Sequence, residues 1–183
     1  MTTSLHTPRP TAIAVRRLSA LGAAECDQLA ALTIDCVDGD ASIGFMWPLA
    51  PDRARAFWQR VAVAVADGRR ALLVAEDGDG IVGTVQLVLD MPENQPHRAD
   101  LAKLQVHRRA RRHGVGALLV RAAEQLALEL GRTLLVLDTI SGSDADRLYA
   151  RLGWQRCGEI PDYALMPRGG LAPTTYFCRR LPA

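Results

Sequence analysis

Arg108-Arg109-Ala110-Arg111-Arg112-His113-Gly114-Val115-Gly116-Ala117, RRARRHGVGA, stands between an apolar stretch ending near His107 and a run in which Val115, Leu118, Leu119, Ala122, Leu126 and Leu130 recur at three- and four-residue spacing. That spacing predicts a helix beginning at Val115, with Gly131 as its stop. Glycines at 114 and 116 let the backbone approach a bound group closely, and the first amides of a helix have no intrahelical acceptor. Such a turn is an anion site, helped by the positive end of the helix dipole. The guanidiniums of Arg111 and Arg112 match phosphate oxygens, so a pyrophosphate is the natural guest. The spacing is not that of a nucleoside-triphosphate loop, GxxxxGK[ST]. It also fails the dinucleotide fingerprint GxGxxG, because Leu119 stands at the third glycine.

Working outward, Ala99 to about His107 precedes the turn as a strand, and TLLVLDT (133–139) follows the helix as a buried strand. Together they form a strand-helix-strand unit with parallel strands. Upstream, RALLVAE (70–76) and IVGTVQLVLD (81–90) flank DGDG (77–80), an antiparallel hairpin whose aspartates and glycines tolerate φ > 0 turn positions. Downstream, Ser143 is expected to cap a helix with Asp146 as capping-box partner, carrying Ala145, Leu148, Tyr149 and Leu152 before Gly153. Strands near 154–160 and 174–180 complete the sheet. The N-terminal part reads as a strand at 11–18, a helix over Ala23–Val37, and a second helix over Pro51–Asp67 ended by Gly68. Between the helices, DGDASIGFMWPLAP (38–51) is too apolar for an idle loop, which marks Phe45, Met46 and Trp47 as pocket wall. The fold class is α/β, with a mixed, mostly antiparallel sheet whose central strands are parallel, flanked by helices.

The chain has 183 residues, a length that predicts one domain, and it shows no repeat or linker. With 22 basic and 20 acidic residues and no long like-charged run, a nucleic-acid partner is disfavoured even for the cluster Arg108, Arg109, Arg111 and Arg112. Lys103 is the only lysine. Apolar runs such as Val61–Ala66 are far below the ~20 residues of a membrane span. The opening MTTSLHTPRP lacks a secretory layout, and the four cysteines show no C-x-x-C pair, so a cytoplasmic protein with reduced thiols and no metal site is expected.

The turn, together with LQV (104–106), the LVLDT strand and ADRLYARLGW (145–154), resembles the GCN5-related N-acetyltransferases, whose signature on this turn is [RQ]-x-x-G-x-[GA]. Within that family KLQV, LDT and GEIPDY…TTYF are most similar to the tabtoxin resistance protein type. The resemblance covers about residues 70–180 and implies a single-domain fold over 1–183, with 70–180 as cofactor core and 11–68 on the acceptor side. It implies acetyl-CoA as cofactor, its pantetheine inserted between splayed parallel strands on the backbone of Leu104, Gln105 and Val106. Arg111, Arg112, His113, Gly114, Val115, Gly116 and Ala117 would hold the pyrophosphate. Many members carry a cofactor-contacting asparagine where this chain has Gly142, so Ser143 is either a substitute contact or only a helix cap.

For acetyl transfer to an amine, Tyr149 is the candidate acid for the departing thiolate, unless it merely packs against Leu118 or Leu152. Asp138 and Asp100 are the candidate bases, each equally able to serve as an ion-pair partner, and Asp138 is favoured. Strict alternation puts Asp100 on one face with Ala102, Leu104 and Val106, and Lys103, Gln105 and His107 on the other. His97 and His107 are expected at the surface, Gln86 as a polar contact, and Trp47, Phe45, Trp154 and Tyr163 either around the acceptor or in the core. No covalent enzyme intermediate is expected, since neither Cys157 nor Cys178 has an evident base. The expected partner is a small-molecule amine, amino-acid-like or antibiotic-like, met by loops 38–50 and 91–98. A protein lysine or N-terminus and a non-catalytic acyl-CoA sensor are the alternatives, and a homodimer is compatible with the family.

Overall fold

The hairpin foreseen at residues 70–90 lies inside a seven-stranded sheet in a computed structural model that describes residues 12–182. The opening MTTSLHTPRP and Thr11 lie outside the described residues. The chain runs β1 (Ala14–Leu18), α1 (Ala23–Asp38), α2 (Pro51–Ala66), β2 (Arg70–Asp77), β3 (Gly80–Val88), β4 (Arg98–Val106) and α3 (Val115–Glu129), with a short 3-10 turn, Arg108–Ala110, before α3. It continues through β5 (Leu134–Ile140), α4 (Asp144–Arg151), β6 (Gln155–Leu165) and β7 (Leu171–Arg180). The sheet order is β1-β2-β3-β4-β5-β7-β6, antiparallel except between β4 and β5. In the hairpin turn only Gly80 takes a positive φ, 115°; Asp77, Gly78 and Asp79 do not.

Both faces of the sheet are covered, which is why β2 and β3 are buried almost continuously rather than alternately. On one face α3 packs against Leu73, Val85, Leu101 and Leu135. On the other, α1 and α2 cover Leu72 and Val74 around Trp58, which is fully buried. Each fully buried Leu of these layers contributes about 1.5–3 kcal/mol. The buried stripe of α3 is Val115, Leu119, Val120, Ala123, Leu126 and Ala127, so the predicted stripe is off by part of a turn and Leu118 faces outward.

Two departures from the sequence expectation shape the site. The parallel pairing of β4 with β5 lasts only from Arg98↔Leu134 to Asp100↔Val136, after which the strands part. Lys103 then takes a φ of 54° and forms a β-bulge, with Gln86 opposite Ala102 but Thr84 opposite Gln105. The extra residue breaks strict alternation. Gln105 therefore shares a face with Asp100 and Ala102, while Leu104 and Val106 turn toward the α3 core, opposite to the predicted pattern. The second departure is the β6–β7 hairpin, longer than predicted because a register shift between Ile160 and Ala164 absorbs Pro161 and Asp162, the latter at φ 50°.

Candidate functional site

Where β4 and β5 part, a cleft of about 1410 Å³ opens across the molecule. Its wall on one side is the backbone of Leu104, Gln105 and Val106, which have lost β5 as a pairing partner. At one end lies the start of α3, where Gly114 is N-cap at φ 80°, ψ −1°, a conformation in which a Cβ is strained. No side chain caps this helix end, leaving the amides of Val115, Gly116 and Ala117 directed out of its N-terminus. A Cβ on Gly116 would come within 3.1 Å of Leu148 Cδ2, so a larger residue there would require the end of that side chain on α4 to shift by a few tenths of an ångström.

The α3 end of the cleft is strongly basic. Arg111, Arg112, Arg121, Arg147 and Arg151 line the α3 end, with Asp144 engaged by Arg147 at 2.7 Å. Arg111 is steered by a bond from its Nε to the Val106 carbonyl, 3.1 Å. Arg108 and Arg109 are absent from the lining, because Arg108 pairs with Asp35 at 2.8 Å and Arg109 with Asp77. The cluster of four arginines thus divides into two that face the cleft and two that tie the turn to α1 and to the β2–β3 hairpin.

At the other end Asp138, Lys103, Arg53, Phe45, Met46 and Tyr163 line the opening. Asp138 lies 3.4 Å from Thr174 Oγ1, but that hydroxyl donates to the Thr139 carbonyl at 2.9 Å, leaving the carboxylate available. Asp100 does not line the cleft; it is bound by Arg98 at 2.5 Å, and burial raises its pKa against the pull of that arginine. Tyr149 packs on Trp154 (centroids 5.5 Å) and Phe177 (6.0 Å) rather than on Leu118, and still borders the cleft. Burial, with Asp138 adding to it, pushes its phenol well above the ordinary tyrosine range. Cys36 also borders the cleft, and burial raises its thiol pKa against the influence of Arg111, so it stays protonated.

Of the residues predicted for the cofactor, all but the exposed His113 line the cleft. Ser143 does so while its Oγ accepts from the Asp146 amide at 3.1 Å; Asp146 in turn accepts from Gly142 N rather than closing on Ser143 N. Loop 91–98 contributes nothing to the lining, and the end of the β6–β7 hairpin, Tyr163 to Met166, takes its place. Trp47 stands outside, exposed beneath Arg168 at 4.2 Å, and Trp154 is core, its Nε1 donating to Glu124 at 2.8 Å. Gln86 is fully buried and accepts from Arg70. His97 is exposed, and His107 Nδ1 accepts from the Arg109 amide at 3.2 Å. Lys103, Arg121, Arg147 and Arg151 were missed, although Arg147 and Arg151 are four apart on the predicted helix and so share a face. Among the described residues no group of three or more His, Cys, Asp or Glu is arranged to hold a metal, and no helix is long and apolar enough to cross a membrane.

A profile of the acetyltransferase (GNAT) family matches residues 33–154. Among solved structures, the chain resembles a ribosomal-protein-alanine N-acetyltransferase from Brucella melitensis at 22% identity, covering 92% of this chain and 99% of that one with a TM-score of 0.74. It also resembles yncA from Salmonella typhimurium, solved with acetyl-CoA, at 17% identity, 94% and 96% coverage and TM-score 0.75. A third, proposed to be a phosphinothricin N-acetyltransferase, matches at 19% identity, 94% and 100% coverage and TM-score 0.75. At these identities the three share the fold.

Proposed function

The chain belongs to the acetyltransferase (GNAT) family, and from that premise we propose that it transfers the acetyl group of acetyl-CoA directly to the primary amine of a small molecule, amino-acid-like or antibiotic-like. The cofactor fits the residues present. The edge of β4 over Leu104–Val106 that β5 leaves uncovered suits the amides of pantetheine, and the uncapped start of α3 with Arg111 and Arg112 suits a pyrophosphate. Arg121, Arg147 and Arg151 extend that cationic wall toward further phosphate charge. Acetyl-CoA supplies an acyl thioester when bound; the chain supplies position and protons. Asp138 holds the acceptor ammonium and takes its proton. Tyr149, kept neutral by burial, gives a proton to the departing sulfur. The protonated state of Cys36 favours direct transfer over an acyl-cysteine route. In this reading the cofactor contacts all fall within residues 70–180, and the acceptor is met by the α1–α2 loop together with Lys103, Asp138 and the β6–β7 hairpin.

The observation that carries the small-molecule reading is a strap across the acceptor end. Trp47 N donates to the Pro167 carbonyl at 2.9 Å, and Arg168 stacks on Trp47 while donating to the Asp38 carbonyl at 3.3 Å. These contacts join the α1–α2 loop to the β6–β7 hairpin, where a peptide substrate would need an open groove. The charge at that end is mixed, with Arg53 and Lys103 beside Asp138, rather than the acidic field a basic peptide needs. The resemblance to the tabtoxin resistance type supports an acceptor of the same kind.

Calorimetric titration with acetyl-CoA, CoA and ATP, followed by thiol release against small amines and lysine peptides, tests the reading. Binding of both CoA forms but not ATP, and turnover on small amines, is expected. Turnover only on peptides would overturn the acceptor class, and binding without turnover would make the chain a sensor.

A further inference from the structure

Lys103, the one lysine in the chain, stands where the two central strands have parted. Its backbone forms the β4 bulge, its side chain lines the cleft, and its Nζ donates to the Ile43 carbonyl at 2.8 Å. Asp138 is close enough to act electrostatically on both Lys103 and Tyr149, so the lysine shares the compartment of the two proton-handling groups. Direction along β4 adds the rest. A donor whose phosphates lie at the α3 start and whose pantetheine runs past Val106, Gln105 and Leu104 brings its acyl end to the next residue, Lys103.

We propose that Lys103 is an acetylation site of this chain, acetylated in cis when no amine acceptor occupies the cleft. The proposal rests on acetyl-CoA being the donor. Burial disfavours the lysine ammonium and lowers its pKa, with Asp138 opposing, so a larger share of the side chain is neutral amine than for an exposed lysine. In the step, the Nζ lone pair forms a C–N bond to the thioester carbonyl carbon and the C–S bond breaks, the sulfur leaving with the bonding pair. One proton leaves nitrogen for Asp138 and one passes from Tyr149 to sulfur; the proton on Asp138 then returns through solvent to the Tyr149 phenolate, so both groups are restored, protons balance and nothing is oxidised or reduced. The product amide is not an acyl donor, so the modification is an end state that fills the acceptor site. Its remaining N–H can still bond Ile43 O.

The test incubates the full chain with acetyl-CoA and no amine, maps acetyl groups by peptide mass spectrometry, repeats this in urea, and measures acetyl-CoA binding calorimetrically in parallel. The expected result is acetyl-Lys103 formed at a rate that saturates with acetyl-CoA, is suppressed by CoA, and exceeds that of the unfolded chain by at least about tenfold. Unmodified Lys103 in a chain that binds acetyl-CoA, or equal rates folded and unfolded, overturns the proposal and leaves the acetyltransferase reading standing. Absence of acetyl-CoA binding overturns both.

Discussion

Tyr149 combines a ring locked between Trp154 and Phe177 with a position on the cleft border, so its phenol and its packing are separable. Tyr149→Phe keeps the ring contacts; steady-state kinetics should show kcat lower by about 10²-fold, while titration shows acetyl-CoA affinity unchanged. An unchanged kcat would remove the phenol from the chemistry. The pH dependence follows from burial. A phenol whose folded pKa is raised stays protonated through and beyond the usual tyrosine range, so wild-type turnover should not decline there on its account. The same shift means that the stability from burying a neutral phenol is present below the unfolded pKa of ~10 and is lost as pH climbs above it. A second residue-scale test concerns Thr33. Its hydroxyl accepts from Trp58 Nε1, donates to the Leu29 carbonyl and lies beside the Gln105 carboxamide, each at 2.9 Å. One hydroxyl proton serves one acceptor, so all three partners are satisfied when the Gln105 amide nitrogen faces Thr33, which also gives that buried nitrogen its partner. Thr33→Val leaves two buried donors without acceptors and should cost about 1–3 kcal/mol in urea unfolding.

Helix starts carry two more predictions. Gly114→Leu forces a side chain into a left-handed N-cap whose Cβ direction is open space, so it should lower stability by about 1–2 kcal/mol and weaken acetyl-CoA binding in titration. Full affinity in that variant would detach the turn from the phosphate role. Ser143→Ala removes the acceptor for the Asp146 amide and should lower stability by about 1 kcal/mol. If Ser143 is only a cap, acetyl-CoA affinity will not move. Elements with a clear period were legible from residues alone: α3, the hairpin, β5 and the Ser143 cap appear within a residue or two of expectation. The bulge was not, because Lys103 has no residue-type signal for a positive φ and only the pairing of β4 with β3 reveals it. The cleft was legible along Leu104–Val106 and the start of α3, where its features are backbone and local. Its other end joins residues far apart in sequence, such as Phe45 with Tyr163, and no spacing rule could unite them.

At the scale of the molecule, two hydrophobic layers sit on opposite faces of one sheet and share β2, with Leu72 in one and Leu73 in the other. Neither layer can lose its strand without exposing the other, so one unfolding transition is expected. Chains retaining only Trp58, in the α1–α2 layer, or only Trp154, in the α3 layer, should give coincident fluorescence midpoints in urea. Separated midpoints would mean the halves melt independently. The far margin of the sheet has a different consequence. β6 is the outer strand, eleven residues long and exposed over nearly its whole length. Such a margin ordinarily invites other chains to add strands and grow into aggregates. Here Pro161 withholds an N–H midway, Asp162 twists the backbone at φ 50°, and Arg156 and Glu159 place a salt bridge nearby at 2.6 Å. Strand-by-strand accretion is interrupted at its template, so any second copy that assembles on this margin must be recognised by its side chains.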